Sequence, residues 1–167
     1  MQSTTRLAGR SPGKYSGSSL GVNLGAHFLV LEEAGQDDHK ELVAIAKTSP
    51  YTKDFSNALM FSSQAAYDKG WIMKASLDGG VVGLTCVRHK RNGVTMLYFV
   101  TVRPEHRSYG IGEKLLRWVM MRGPHDRMQL NVMKDNAKAV AFYLRLGFAV
   151  VGEAMKGQAH CMEKTFP

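Results

Sequence analysis

From His27 onward, apolar and polar positions fall into short blocks whose period changes along the chain. The run HFLVLEE (27–33) is β-like. Asp38 followed three residues later by Glu41 is a capping-box pattern, which predicts a helix through Lys47 that Pro50 ends. A second helix is expected from Asp54 to Gly70, with Phe55, Leu59 and Met60 at helical spacing. WIMKASL, VVGLTCVRH and VTMLYFVTV then read as three strands, joined by turns at Asp78–Gly79 and Asn92–Gly93, an antiparallel meander. Ile111, Leu115, Trp118 and Val119 lie on one face of a helix that stops at Gly123 and Pro124. RMQLNVM is a further strand, Asn136 to Leu146 a further helix closed by Gly147, and FAVVGEAM with AHCMEKTF a closing hairpin. The passage strand, helix, strand around Gly110 demands a parallel crossover. The expected fold is therefore α/β (α+β): a single-domain mixed central sheet of about seven strands flanked by about four helices.

Length and charge narrow this picture. A chain of 167 residues can bury one sizeable core but not two ordinary ones. Residues 1–25 are rich in Ser and Gly and hold Arg6, Arg10 and Lys14 with no acid, which reads as a flexible basic arm ahead of a domain at 26–167. Such a leader also fits an organellar transit peptide or a nucleic-acid-touching tail. Lys and Arg exceed Asp and Glu, 22 against 14, a formal charge of +8 that favours anionic partners. The basic hairpin end Arg88–Arg91 reads as a solvated loop. Cys86 and Cys161 both lie in strand-like stretches, as reduced core thiols of a cytoplasmic protein would. No apolar run is long enough to cross a bilayer, so no membrane partner is expected. Six histidines show no ligand spacing and no cysteine pair sits two or four apart, so no metal is indicated.

The chemistry concentrates in HRSYGIGEKLL (106–116). A dinucleotide fingerprint would need glycine where Leu115 stands, and the tripeptide of a Walker A loop is missing. Gly110 and Gly112 still allow close backbone approach, and the helix that follows offers unpaired N–H groups and a positive dipole end. Arg107 adds a charge with fork geometry suited to a pyrophosphate. Spacing alone leaves anion binding and a tight strand-to-helix turn both open.

RSYGIG resembles the Arg/Gln-x-x-Gly-x-Gly/Ala signature of the GNAT superfamily of acyl-CoA-dependent N-acyltransferases. NAKAVAFYLRLGF (136–148) is similar to that superfamily's Asn-x-x-Ala-x-x-x-Tyr-x-x-x-Gly-Phe helix. The resemblance spans His27 to Phe166, without the N-terminal arm, and identifies no subfamily. It implies that residues 26–167 form an N-acyltransferase domain taking acetyl-CoA as co-substrate. It implies a bulged strand whose end, Val100, Thr101 and Val102, offers backbone groups to the pantetheine arm. It implies that the N–H groups of Arg107, Ser108, Tyr109, Gly110, Ile111 and Gly112 cradle the pyrophosphate, that Asn136 contacts the pantetheine, and that Tyr143 faces the thioester sulfur. Ser108 and Tyr109 depart from the commonest family residues, but backbone amides are available either way. Read without the motif, Tyr143 beside Phe142 would be core packing and Asn136 a helix N-cap.

An amine attacking a thioester must be neutral, needs donors where the oxyanion develops, and needs the leaving thiolate protonated. A phenol of reference pKa about 10 is protonated at neutral pH and can donate to a thiol of about 8.5, which assigns Tyr143 as acid, with an N–H near Val102 as oxyanion donor. No base is assigned: relatives often carry a glutamate where this chain has Tyr98, and His106 and Glu105 read as solvent-facing. The stretch from Lys47 to Lys69, with Tyr51, Phe55 and Phe61, is expected to line the acceptor side. The expected reaction is acetyl transfer to a primary amine, on a small molecule or a protein, by direct attack in a ternary complex. The rivals are a non-catalytic acyl-CoA-binding or nucleic-acid-associated module and acylation of a modified nucleobase or tRNA. The sequence leaves room for a nucleic-acid partner or a homodimer without pointing to either.

Overall fold

The structure, a computed structural model, describes residues 19–52 and 64–167. Eight strands form one sheet in the order β1-β2-β3-β4-β5-β6-β8-β7. They are β1 (Leu20–Leu24), β2 (His27–Glu33), β3 (Ile72–Leu77), β4 (Gly80–His89), β5 (Val94–Val102), β6 (Arg127–Met133), β7 (Ala149–Ala154) and β8 (Ala159–Thr165). Every neighbouring pair is antiparallel except β5 with β6, the predicted crossover. The described helices are α1 (His39–Ala46), α2 (Gln64–Asp68), α3 (Ile111–Arg122) and α4 (Ala137–Arg145).

The strand beyond the expected seven is β1, where the sequence reads as flexible arm up to residue 25. Leu20, Val22 and Leu24 alternate with Gly21 and Asn23, and Val22 and Leu24 pack against the core, but the strand is a short, mostly exposed edge strand that continues a Ser- and Gly-rich stretch. Its register with β2 is set by a turn at Gly25, whose φ is 72°, and the Phe28 ring lies over Gly21, where a Cβ would come within 2.6 Å. Residues 1–18 lie outside the described residues, as do 53–63, which include Phe55, Leu59, Met60 and Phe61; of the second predicted helix the structure describes Gln64–Asp68.

The start of α1 also differs from expectation. Asp38 does not cap its own helix against Glu41. Its carboxylate accepts from the Gly35 N–H at 2.8 Å and from Lys74 Nζ at 2.8 Å, while Glu41 turns to Arg103 at 3.4 Å. The cation of Lys74 on β3, held between Asp38 and Glu32 of β2, competes for the Asp38 carboxylate.

Two cores face opposite sides of the sheet. On one side α3 buries Ile111, Leu115, Leu116, Trp118, Val119 and Met120 against β2 to β6, joined by Tyr143, Leu146 and Phe148 at α4. Each such burial contributes about 1.5–3 kcal/mol, so the helix that follows the glycine turn is firmly seated. On the other side α1 and α2 bring Leu42, Ile45, Ala66 and Tyr67 onto Ile72, Leu84, Cys86 and Phe99. Cys86 and Cys161 are free thiols, as expected. Arg88 leaves the hairpin end to lie over the Trp71 ring, 5.1 Å from its centroid.

Candidate active site

The site begins where β5 and β6 part. These parallel strands pair only from Val94 with Arg127 to Leu97 with Leu130, although β5 continues five residues further. The parting coincides with a bulge: Val87 faces Leu97 and Cys86 faces Phe99, so Tyr98 is the extra residue. Beyond the bulge the Arg103 N–H donates to the Val82 carbonyl at 2.7 Å, which places residues 99, 101 and 103 in the β4 ladder. By alternation, the N–H and C=O groups of Val100 and Val102 point away from β4 into the gap. Thr101 does not share in this; its backbone is committed to Leu84 on β4 and its side chain is buried.

The chain leaves β5 through a short 3-10 turn, Pro104–Tyr109, and enters α3 at Gly110, whose φ of 65° and ψ of 26° lie in the left-handed region. A side chain would be strained there, which explains glycine at this point. The Arg107 guanidinium folds back and donates from Nε to the Val102 carbonyl at 3.0 Å, tying the turn to the strand end it follows. The Tyr109 ring is edge-on to His27 at 5.5 Å, and its carbonyl accepts from Lys114 Nζ at 3.3 Å. Ser108 has a described backbone within the turn, Ile111 is buried in the core, and Gly112 sits under Phe142, whose Cζ lies 3.5 Å from where a Cβ would be. His106, expected to face solvent, is half-buried instead, and its Nδ1 is buried without a hydrogen-bond partner among the described residues; Glu105 is exposed as expected.

The opposite wall comes from α4. Asn136 is its N-cap, with Oδ1 accepting from the Ala139 N–H at 3.3 Å. Tyr143 is 7% exposed, its ring edge-on to Phe142 at 5.2 Å and to Phe148 at 5.6 Å. Burial pushes its phenol well above the ordinary tyrosine value, so it holds its proton throughout the physiological range. Val100 packs against the same core cluster that contains Tyr143. At Gly112 the strand, the turn and α4 meet: Val100 Cγ2 and Phe142 Cζ lie 3.8 and 3.5 Å from where its Cβ would be, and Val102 and Tyr143 share one core cluster. No glutamate stands at the bulge; Tyr98 occupies it, half-buried on the α1 face. No group of three or more metal-ligating side chains occurs among the described residues, and no described helix is long and apolar enough to cross a membrane.

A strand that separates from its parallel neighbour beside a glycine turn and helix N-terminus is the layout of an acyl-CoA enzyme, and comparison with known proteins agrees. The model of the acetyltransferase (GNAT) family matches residues 33–148. The chain is 47% identical over 138 residues to the 5-NmdU N-acetyltransferase of Pseudomonas phage PaMx11, covering 82% of this chain and 99% of that protein. The crystal structure of a GNAT-family acetyltransferase from Bacillus cereus ATCC 10987 superposes with a TM-score of 0.70 at 16% identity, over 83% of this chain and 98% of that one. The PaiA N-acetyltransferase of Thermoplasma acidophilum, solved in complex with coenzyme A, does so with a TM-score of 0.66 at 19% identity, over 83% and 99%. This chain belongs to the GNAT acetyltransferase family. It is an acetyl-CoA-dependent N-acetyltransferase.

Proposed function

We propose that this enzyme transfers the acetyl group of acetyl-CoA to a primary amine carried by a modified nucleobase, by direct attack within a ternary complex. The observation that carries the acceptor is the 47% identity, along 99% of its length, with a protein named for acetylating 5-NmdU. The residues of the site fit the co-substrate. The opened edge at Val100 and the N–H of Val102 offer backbone groups with which an amide-bearing arm can pair as a further strand, and the turn at Gly110 leads into the N-terminus of α3, whose first N–H groups have no intrahelical partner and suit a pyrophosphate. Bound there, acetyl-CoA supplies an activated acyl carbon and a thiolate leaving group.

The roles of the protein groups follow from their surroundings. The amine nitrogen, once neutral, attacks the carbonyl carbon; the N–H of Val102, pointing into the gap, is placed to stabilise the developing oxyanion. As the carbon–sulfur bond breaks, the thiolate takes its proton from the Tyr143 hydroxyl, which burial keeps protonated. Asn136 holds the start of α4 and with it the position of Tyr143. With Tyr98 at the bulge, the ammonium loses its proton to water rather than to a carboxylate on β5. A panel of amines including 5-NmdU, incubated with acetyl-CoA while free thiol and acetylated product are followed, tests this reading. Preferential turnover of 5-NmdU is expected. Turnover of other amines but not of 5-NmdU would refute the acceptor, and tight acetyl-CoA binding with no turnover of any amine would refute the enzyme reading.

A further inference from the structure

The basic end of the β4–β5 hairpin lies on the same face of the sheet as the bulge at Tyr98. Trp71, Cys86 and Tyr98 all belong to the α1 side, and alternation along β4 turns Arg88, two residues beyond Cys86, the same way. Arg88 pairs with Met96 on β5, and Tyr98 stands two residues further along that strand. Strand spacing and rise put Arg88 within about 10 Å of the bulge. Two cations gather on the Trp71 ring: Lys69 Nζ lies 4.8 Å and Arg88 Cζ 5.1 Å from its centroid. Trp71 is half-buried, and both cations are exposed. The backbone beneath them is fixed, since the Val87 N–H donates to the Trp71 carbonyl at 2.8 Å and Ile72 pairs with Cys86. Beyond Arg88 the hairpin carries Lys90 and Arg91, both exposed, on a closed turn in which the Lys90 N–H donates to the Val94 carbonyl at 2.8 Å and the Gly93 N–H to the Lys90 carbonyl at 3.3 Å.

Four cations are thus carried on rigid backbone in a row that leads to the cleft. The attraction of the indole face holds Lys69 and Arg88 in place and leaves their N–H groups free to donate outward. A guanidinium presents a planar fork that matches phosphate oxygens, and an ammonium supplies a compact charge. Asp68, beside Lys69 in the chain, accepts from Gln64 Nε2 at 2.9 Å. A nucleobase carried in a strand arrives with a phosphate on either side, and a strand is held by a positively charged track along its backbone. The formal charge of +8 on the whole chain favours such a partner.

We infer that the modified nucleobase is acetylated while carried in a DNA strand, and that Lys69, Arg88, Lys90 and Arg91 form the track on which the phosphates of that strand lie, with Trp71 positioning the first two. The inference rests on the reading that the acceptor is a modified nucleobase. The track leads the strand over the α1 face of β4 and β5 and brings the acceptor base to the gap beside Tyr98. It acts on the strand and not on acetyl-CoA, whose turn at residues 104–110 follows the opposite end of β5.

The test compares the full chain on a short single-stranded oligodeoxynucleotide bearing one 5-NmdU and on the free 5-NmdU nucleoside, over a range of salt. The oligonucleotide should be the better acceptor, and log kcat/KM for it should fall with log salt at about −0.7 for each phosphate neutralised, or about −3 for four. Lys90→Gln with Arg91→Gln should make that slope shallower by about 1.4, and Arg88→Gln by about 0.7. Each variant should lower the ratio of kcat/KM for oligonucleotide over nucleoside. Trp71→Leu should raise the oligonucleotide KM about threefold relative to that of the nucleoside, and Trp71→Phe, which keeps a ring, should recover part of the loss. Equal kcat/KM for oligonucleotide and nucleoside, or a salt slope that the Lys90 and Arg91 substitutions do not lower, would overturn the track while leaving the nucleobase acceptor intact. Acetylation confined to amines other than 5-NmdU would refute that acceptor. The track is then judged by anisotropy of a labelled, unmodified single strand, and a slope unmoved by the same substitutions would overturn it as well.

Discussion

Replacing Tyr143 by phenylalanine isolates a single oxygen. The ring is nearly fully buried and contacts Phe142 and Phe148 edge-on, and phenylalanine keeps both contacts and nearly the same volume. The fold should therefore survive, with a thermal midpoint within a few degrees of wild type. What disappears is the proton for the leaving thiolate. General acids contribute about 10²–10⁴-fold to rate. Transfer from a phenol of reference pKa about 10 to the thiolate of a thiol of about 8.5 is uphill, and burial raises the Tyr143 phenol further, which favours the lower end of that range. A fall of about 10²-fold in kcat, or about 2.7 kcal/mol in the barrier, is expected, with KM for acetyl-CoA nearly unchanged. Steady-state thiol release at varied acetyl-CoA and fixed acceptor measures both constants. Undiminished kcat would refute the acid role, and a kcat that fell together with the thermal midpoint would show that packing was lost instead.

Gly110→Ala forces a side chain into a backbone with φ of 65°, at a cost of about 1 kcal/mol, and should raise KM for acetyl-CoA by distorting the turn; a lowered thermal midpoint with no change in that KM would mean that the turn does not hold the co-substrate. Alkaline pH should weaken the fold through Cys86, whose thiol burial pushes from 9.0 to about 12. Above pH 9 the unfolded chain releases this proton while the folded chain keeps it, so its contribution to stability is intact below 9 and lost as pH rises, by about 1.4 kcal/mol per pH unit. Tyr67, raised to about 12, and Tyr143 act in the same direction only above 10. Urea melts between pH 9 and 10 should therefore show a steeper loss for wild type than for Cys86→Ala, and equal slopes would refute the assignment.

Most of the sheet was legible because its strands are long, β-branched and separated by turns with glycine at positive φ, at Gly79 and Gly93. The crossover helix was legible from the spacing of Ile111, Leu115, Trp118 and Val119, all of which the structure buries. Strand β1 was not, since its five residues give only a brief alternation of Leu20, Val22 and Leu24 at the end of a Ser- and Gly-rich stretch. The capping role of Asp38 was misread for a different reason: local spacing cannot register a lysine that arrives from a strand 36 residues away.

The site divides along the same line. Sequence by itself determined the two motif segments and their residue types, because the conformation of Gly110 and the cap at Asn136 are set within a turn or two of chain. Only the tertiary structure decided where β5 leaves β6, and that the backbone groups turned into the gap belong to Val100 and Val102 and not to Thr101. Each of these depends on register between strands or on packing between segments far apart in the chain, and such distances carry no signal in local periodicity.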